Sequence, residues 1–206
     1  MRFTLLLCAA MVTLGVTASA ADGFRPLNDG KSFDGWKPST ENSDTWKIED
    51  GAFVTRGPRS HLFYVGDGQP FTDFELMVEV MTDTNSNGGI YFHTAYQEKD
   101  WPRQGFECQV NNTHKDWKKT GSLYDVVNVR ESAARDGEWW TQHIIVKGDH
   151  VTVKINGQTV VDYTEPAEQK PGTPFTRKLD KGTFGLQAHD PGSVVRYRNI
   201  RVKRLD

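Results

Sequence analysis

The chain has 206 residues, with 25 Lys or Arg, 27 Asp or Glu and a formal net charge of −2 when histidine is neutral. This balance excludes the strongly basic surface that binds nucleic acids, so no nucleic-acid partner is expected. Six Trp and six Tyr residues among 11% aromatic residues slightly favour sugar binding.

The N-terminal residues have the pattern of a secretory signal peptide. Arg2 precedes an apolar run over residues 3–16, and small residues ending at Ala20 follow. We expect a signal peptide over residues 1–20 that is cleaved after Ala20. The apolar run is shorter than the roughly 20 residues of a membrane-spanning helix. The mature chain is therefore expected to be periplasmic or extracellular, without membrane insertion.

The remaining residues, 21–206, are expected to form one domain. Loss of Arg2 leaves this part with a net charge of −3. A lipoprotein cleavage at Cys8 is disfavoured, because Leu7 precedes it instead of a small residue. Cys108 is then the only mature cysteine, which precludes an internal disulfide.

Alternating apolar and polar residues predict about a dozen short strands. These strands are expected over residues 45–48, 52–55, 62–65, 74–80, 89–94, 106–111, 123–127, 144–147, 151–155, 159–163, 183–189 and 194–203. The turns at Gly148-Asp149 and Asn156-Gly157 predict a three-stranded meander over residues 140–163, since Asn-Gly readily takes a type I′ turn. Residues 165–181 are rich in Pro, Lys and Thr and are expected to be a surface loop. No segment keeps a helical period, so the predicted fold is an all-β, two-sheet antiparallel jelly-roll sandwich.

Three predicted strands carry polar side chains on one face, because alternate residues of a strand point the same way. The residues on these polar faces are Glu107, Gln109 and Asn111 on the first strand, Gln187 and His189 on the second, and Tyr91 and His93 on the third. If the strands surround one hollow, they supply the groups that a polyhydroxylated ligand requires. The alternative is an ordinary solvated sheet face. Trp101 and Trp117 lie in the loops that flank the Glu107 strand and are candidates for a ligand rim.

Several other chemistries are disfavoured by the residues. Cys108 alternates inward and no Gly-x-Ser-x-Gly motif is present, so no activated nucleophile is predicted. Residues 83–88 resemble the start of a calcium loop, but the twelfth position is Thr94 instead of glutamate. No metal and no cofactor are expected. Glu107 lacks a second acid on its strand, which disfavours two-carboxylate glycoside hydrolysis unless Asp125 or another distant acid supplies it.

Several ordered motifs make the chain resemble the 3-keto-disaccharide hydrolase domain family. The matching motifs are Leu27-Asn28-Asp29-Gly30-Lys31, Gly35-Trp36, Asp73-Phe74-Glu75-Leu76, Asn87-Gly88-Gly89-Ile90-Tyr91-Phe92, Gly105-Phe106-Glu107-Cys108-Gln109, Thr120-Gly121-Ser122-Leu123-Tyr124, Glu138-Trp139-Trp140, Asn156-Gly157, Gly185-Leu186-Gln187-Ala188-His189 and Tyr197-Arg198-Asn199-Ile200. The resemblance implies that residues 21–206 form one 3-keto-disaccharide hydrolase-like domain with a concanavalin A-like lectin/glucanase sandwich. His93 stands where the family usually has arginine, and Asn111 stands near the position of a common aspartate.

The resemblance also implies a carbohydrate oxidised at carbon 3 as the ligand. A 3-keto group acidifies the hydrogen on carbon 2, so one general base can start an elimination of the anomeric group, and water then adds back. The roles that this hypothesis assigns are as follows: Glu107 or His189 as base, Tyr124 or His93 as proton donor or enolate-stabilising group, and Gln109, Gln187, Asn111, Tyr91, Trp101 and Trp117 in substrate binding.

Two other classes of function are compatible with the same residues. A non-catalytic, lectin-like carbohydrate-binding module would use the same polar face, and the His93 departure favours it. A structural or adhesion role with no small ligand would be favoured if Glu107 were buried and paired with a cation. The oligomeric state and the identity of the sugar are not predicted.

Overall fold

The computed structural model describes residues 22–206, which contain thirteen β-strands and one short 3-10 helix at Ser43–Thr45. The strands are β1 (Arg25–Pro26), β2 (Trp36–Pro38), β3 (Trp46–Glu49), β4 (Ala52–Thr55), β5 (Ser60–Tyr64), β6 (Phe74–Thr82), β7 (Gly88–Thr94), β8 (Phe106–Val110), β9 (Trp140–Lys147), β10 (His150–Ile155), β11 (Gln158–Thr164), β12 (Thr183–Ala188) and β13 (Val195–Arg204). The predicted signal peptide over residues 1–20 lies outside the described residues.

The strands form two antiparallel sheets. The larger sheet has the order β11-β10-β9-β6-β13-β4-β3, with β1 also paired to β13. The smaller sheet has the order β2-β5-β12-β7-β8. Strands distant in sequence are therefore neighbours in each sheet, and three strands from separate parts of the chain, β12, β7 and β8, lie side by side.

The core lies between the two sheets and is formed by alternate residues of each strand. In β6 the buried positions alternate with partly exposed ones along all nine residues, which is the period-2 pattern of a half-buried strand. Phe92 of β7 stacks on Phe106 of β8 with ring centroids 5.4 Å apart. Phe74 of the larger sheet packs edge-on against Phe184 of the smaller sheet at 5.0 Å. Aromatic contacts thus join neighbouring strands and both sheets.

The predicted all-β sandwich is confirmed, with β9, β10 and β11 as the meander over residues 140–163. Residues 165–181 contain no strand, as predicted. The strand predicted over residues 123–127 is wrong. Its chain turns back on itself, and the backbone N–H groups of Val126 and Val127 both donate to the Leu123 carbonyl.

The edge of β8 is covered by this turn, because the Tyr124 N–H donates to the Glu107 carbonyl at 2.9 Å. The two short strands β1 and β2 were not predicted, since two or three residues are too few to show alternation. Within residues 22–206, no helix is long and apolar enough to cross a membrane.

Candidate functional site

A cavity of about 360 Å³ lies on the face of the smaller sheet that points away from the core. Its lining residues are Asn87, Tyr91, Trp101, Pro102, Gly105, Glu107, Gln109, Asp116, Tyr124, Asp125, Phe175, Arg177, Gln187 and His189. Strands β7, β8 and β12 form its floor through Tyr91, Glu107, Gln109 and Gln187. Loops over residues 95–105, 111–127 and 165–182 form its walls.

Glu107 is the acid at the floor of the cavity, and its carboxylate is surrounded by hydrogen-bond donors. The Gln187 Nε2 donates to Glu107 Oε1 at 2.8 Å and to the Tyr91 hydroxyl at 2.9 Å. The Tyr91 hydroxyl also hydrogen-bonds to Glu107. The Gln109 amide, turned so that its nitrogen faces the carboxylate, donates to Glu107 Oε1 at 3.2 Å and to the Gly88 carbonyl at 3.1 Å. The three predicted polar strands therefore converge on one carboxylate.

Burial raises the pKa of Glu107 to about 7, although the hydrogen bonds from Tyr91 and Gln187 act in the opposite direction. The carboxyl keeps partial exposure to the cavity. Within the described residues, no cation forms a salt bridge with Glu107. The ion pair that would favour a purely structural role is therefore missing from this part of the chain. A carboxyl group with a pKa near neutrality is suited to accept a proton from a bound ligand.

Two features hold the floor of the cavity in place from below. The Tyr197 hydroxyl reaches across the core from β13 and donates to the Gln187 carbonyl at 3.0 Å. Gly89 provides the space for the acid, since a Cβ atom there would lie 2.5 Å from Glu107 Oε1.

Cys108, beneath the floor, is fully buried and accepts a hydrogen bond from Gln142. Burial raises the pKa of the Cys108 thiol to about 12, so it is not a nucleophile at neutral pH.

His189 lies at the end of β12 and carries the second candidate base. Its Nδ1 is 2.8 Å from Asp190 Oδ2. Burial acts to raise the pKa of Asp190, but hydrogen bonds from His189 and Ser193 hold it below the ordinary value. An ionised carboxylate accepts, so Nδ1 carries the hydrogen and, in the neutral ring, Nε2 keeps its lone pair.

Trp101 acts as a wall for this histidine. Its ring centroid lies 5.2 Å from that of His189, and the guanidinium of Arg59 lies 4.8 Å from the indole centroid. His114 packs on another side of His189 at 5.6 Å and accepts from the Asn87 amide at 3.3 Å. The ring of His189 is therefore flanked by two neighbouring rings and keeps part of its surface exposed.

Tyr124 lies on the opposite wall, in the turn that covers β8. Its hydroxyl donates to Asp116 Oδ2 at 3.2 Å. The Lys118 ammonium lies 3.7 Å from the centre of the Tyr124 ring and also pairs with Asp125. Burial raises the pKa of Tyr124, so the phenol is protonated at neutral pH and can act as a donor.

Arg177 is the one arginine among the residues that line the cavity. It donates to Asp125 Oδ2 at 2.7 Å. Asp116 and Asp125 therefore supply the distant acids that the strand of Glu107 lacks. Each is already engaged, Asp116 by Tyr124 and Asp125 by Lys118 and Arg177.

His93 does not reach the cavity, although alternation predicts it beside Tyr91. Its backbone adopts a φ of 52°, in the left-handed region, and the pairing of β12 with β7 shifts register nearby, between Thr183 and Gly185. The side chain is buried instead against Phe74, with Nε2 2.8 Å from the Thr72 carbonyl. The expectation that His93 lies at the site is therefore corrected, because one left-handed residue breaks the period-2 pattern.

Asn111 and Trp117 also lie outside the cavity lining. Asn111 is buried, and its amide donates to the carbonyls of Asp116 and Lys118 at 2.8 and 2.9 Å, so it supports the loop that carries the wall. Trp117 is 47% exposed, and its ring packs against the Arg130 guanidinium at 4.6 Å. The expectation of direct ligand contact is corrected for both residues, since Asn111 follows the end of β8 and Trp117 points to solvent.

The wall residues that come from loops are not predicted by strand alternation. Asn87, Asp116, Phe175 and Arg177 line the cavity but follow no strand period. For Asn87 a signal exists, since it directly precedes the Gly88-Gly89 motif. Among residues 22–206, no group of three or more His, Cys, Asp or Glu side chains is arranged to hold a metal ion.

Fold and cavity together define a concanavalin A-like β-sandwich with an acid-bearing cavity on its smaller sheet. Residues 23–203 match the family described as the 3-keto-alpha-glucoside-1,2-lyase-like domain, and the chain belongs to this family. The resemblance identified from the sequence motifs is thereby confirmed.

Among similar proteins, the 3-keto-disaccharide hydrolase of Bacteroides thetaiotaomicron is 28% identical, and the match covers 90% of this chain and 80% of that protein. A crystal structure of a candidate glycosyl hydrolase from Parabacteroides distasonis superimposes with a TM-score of 0.75 at 23% identity, covering 90% of this chain and 95% of the other. A non-specific endo-β-1,3(4)-glucanase from family GH16 superimposes with a TM-score of 0.55 at 13% identity, covering 87% and 88%. The two structural likenesses support the fold.

Proposed function

We propose that this protein cleaves the glycosidic bond of 3-keto-glycosides or 3-keto-disaccharides by base-assisted elimination, followed by addition of water. The observation that carries the proposal is the Glu107 carboxyl, which lies at the floor of a ligand-sized cavity with a pKa of about 7. At neutral pH about half of such groups are ionised and can accept a proton. Family membership and the similar 3-keto-disaccharide hydrolase support the choice of substrate.

The proposed reaction uses the acidity that a ketone gives to its neighbouring carbon. The base removes the hydrogen from carbon 2, and the electron pair of that C–H bond forms the enolate of the 3-keto group. The enolate then reforms the ketone, a double bond forms between carbons 1 and 2, and the bond from carbon 1 to the leaving oxygen breaks. The leaving oxygen takes up one proton. Water adds across the new double bond, with hydroxyl on carbon 1 and hydrogen on carbon 2, so the net reaction is hydrolysis.

In this proposal, Glu107 is the base and His189 is the alternative base, since its Nε2 keeps a lone pair in the neutral ring. Tyr124 is the proton donor, because its hydroxyl is protonated at neutral pH and lies on the cavity wall. Gln109 and Gln187 hold the Glu107 carboxylate and bind substrate hydroxyls. His93 has no part in this assignment.

We also propose that the protein is exported and acts in the periplasm or outside the cell. The N-terminal residues 1–20 have the order of charge, apolar run and small residues that a signal peptide requires.

A carbohydrate is the proposed ligand, and the neutral amide and phenol groups at the floor of the cavity suit its hydroxyls.

Purified protein, incubated side by side with a 3-keto-glucoside and the corresponding ordinary glucoside, tests this proposal. We expect cleavage of the 3-keto compound alone, because only that compound has an acidic hydrogen on carbon 2. Cleavage of both would contradict elimination and would favour two-carboxylate hydrolysis with Asp116 or Asp125. Binding without cleavage of either would favour a lectin-like module.

A further inference from the structure

A second cavity, of about 290 Å³, lies beside the first and is not used by the proposed reaction. Its lining residues are Asp125, Val126, Tyr163, Gln169, Gly172, Thr173, Pro174, Phe175, Thr176 and Arg177. Asp125, Phe175 and Arg177 line both cavities, so these three residues form the junction between them. We infer that the second cavity is the leaving-group subsite and binds a neutral hydroxylated ring, the second sugar of a disaccharide. This inference rests on the proposed cleavage at the first cavity.

The chemistry of the lining favours a neutral ligand. Asp125 and Arg177 are the only charged side chains in this lining, and they pair with each other at 2.7 Å. Burial acts to raise the pKa of Asp125, but Lys118 and Arg177 hold it below its ordinary value, so the aspartate is ionised and its charge is matched. No unpaired charge is left in this lining to attract an ionic ligand.

The remaining lining groups combine apolar rings with amide and hydroxyl groups. Phe175, Pro174 and Tyr163 offer apolar faces, while Gln169 and Thr173 offer hydrogen-bonding groups. A sugar ring presents the same two kinds of surface. Cavities that bind drug-sized molecules span roughly 300–1,000 Å³. The two cavities, of about 360 and 290 Å³, lie at the lower end of this range, so each has the size for a small ligand such as one sugar ring.

The junction is held in a backbone conformation that non-glycine residues seldom adopt. Arg177 has a φ of 41° and Asp125 has a φ of 60°, both in the left-handed region. Asp tolerates this region, whereas for a long side chain such as Arg it is uncommon. Strained residues of this kind cluster at ligand clamps. Both members of the ion pair between the two cavities therefore have left-handed backbones, and Arg177 is the strained one.

The wall of the second cavity is fixed to the body of the protein. The Thr176 N–H donates to the Arg103 carbonyl at 2.8 Å, and the Gly105 N–H donates to Thr176 Oγ1 at 2.9 Å. Glu165 is buried and accepts from the Leu179 N–H at 2.7 Å. The loop over residues 165–181 is therefore a preformed wall, and binding a ring there requires little additional ordering.

The test compares two substrates that differ only in the leaving group, a methyl 3-keto-glucoside and a 3-keto-disaccharide. Gln169→Trp fills the second cavity, and Tyr163→Phe removes one hydroxyl from its lining. We expect kcat/KM for the disaccharide to fall about tenfold in Gln169→Trp and about fivefold in Tyr163→Phe, with the methyl compound changed less than about twofold. Tyr96→Phe is the matched control, because Tyr96 lines neither cavity, and it should leave both values unchanged.

Equal losses on both substrates, or an unchanged disaccharide value in both variants, would overturn the subsite while leaving the proposed function in place. Absence of turnover of either substrate by the unmodified protein would overturn the proposed function and the subsite with it.

Discussion

Glu107 is stabilised in two opposed ways at the scale of single residues. Its neighbours Gln187, Tyr91 and Gln109 supply hydrogen bonds that favour the carboxylate, and burial favours the protonated acid more strongly. The result is a folded-state pKa of about 7, above the ordinary 4.5. Above pH 4.5 the folded state is therefore less stable, relative to acid pH, than it would be with an unshifted carboxyl at this position.

This shift predicts that Glu107→Gln stabilises the protein at alkaline pH. Between pH 4.5 and 7 the folded state binds a proton that the unfolded state has released, so the contribution of Glu107 to stability falls as pH rises through this window. The full effect is at most about 3 kcal/mol. Urea unfolding should show the variant gaining about 1–3 kcal/mol over the unmodified protein at pH 8 relative to pH 4. Exposed Glu98→Gln is the control; an equal difference at both pH values for Glu107→Gln would contradict the shifted pKa.

Gly89 gives a second prediction at this scale. In Gly89→Ala the new Cβ would lie 2.5 Å from Glu107 Oε1 and 3.0 Å from its Cγ, so the acid side chain must move. We expect turnover to fall by about 10- to 100-fold with the fold retained, because small displacements of reacting groups are costly. Gly68→Ala, where a Cβ would have nothing within 4 Å, is the control. Unchanged turnover in Gly89→Ala would show that the position of Glu107 does not matter.

At the scale of elements, the walls of the cavity depend on loops that are held by their own side chains. The Lys119 ammonium donates to the carbonyls of His114 and Asp116 at 2.7 and 2.9 Å and lies 3.5 Å from Asn111 Oδ1. Asn111 donates to the same loop from the end of β8. One ammonium group and one amide thus fix the segment over residues 112–118, which carries Asp116 and hence the partner of Tyr124.

Lys119→Met should loosen this segment, because it keeps most of the length of the side chain and removes its donors. Hydrogen bonds from charged groups are worth about 1.5–3 kcal/mol each. We expect faster amide hydrogen exchange over residues 112–118 and about tenfold lower turnover. Lys115→Met, an exposed change in the same loop, should alter neither. Unchanged exchange in Lys119→Met would mean that Asn111 alone holds the loop.

At the scale of the whole molecule, the floor of the site follows from strand alternation and the walls do not. Alternation placed Tyr91, Glu107, Gln109 and Gln187 on one face, because a period of two is fixed by strand geometry. It failed at His93, where a left-handed residue ends the alternation.

The walls could not be predicted for a different reason. Asp116, Phe175 and Arg177 lie in loops, where no repeating geometry relates the direction of one side chain to the next. The turn at Leu123 has the composition of a strand, because Leu123 is buried against the edge of β8 and Val126 and Val127 are partly buried, but these residues form only isolated bridges. Fold class and cavity floor were therefore accessible from sequence, while the walls required tertiary contacts.

The role of Glu107 as general base is the central claim, and turnover of a 3-keto-glycoside by Glu107→Gln tests it most directly. This substitution keeps the size of the side chain and its capacity for hydrogen bonding but removes the proton acceptor. We expect kcat to fall by about 10²-fold or more while substrate binding persists. Retained turnover in Glu107→Gln, together with loss of turnover in His189→Ala, would contradict this role of Glu107 and assign the base to the histidine.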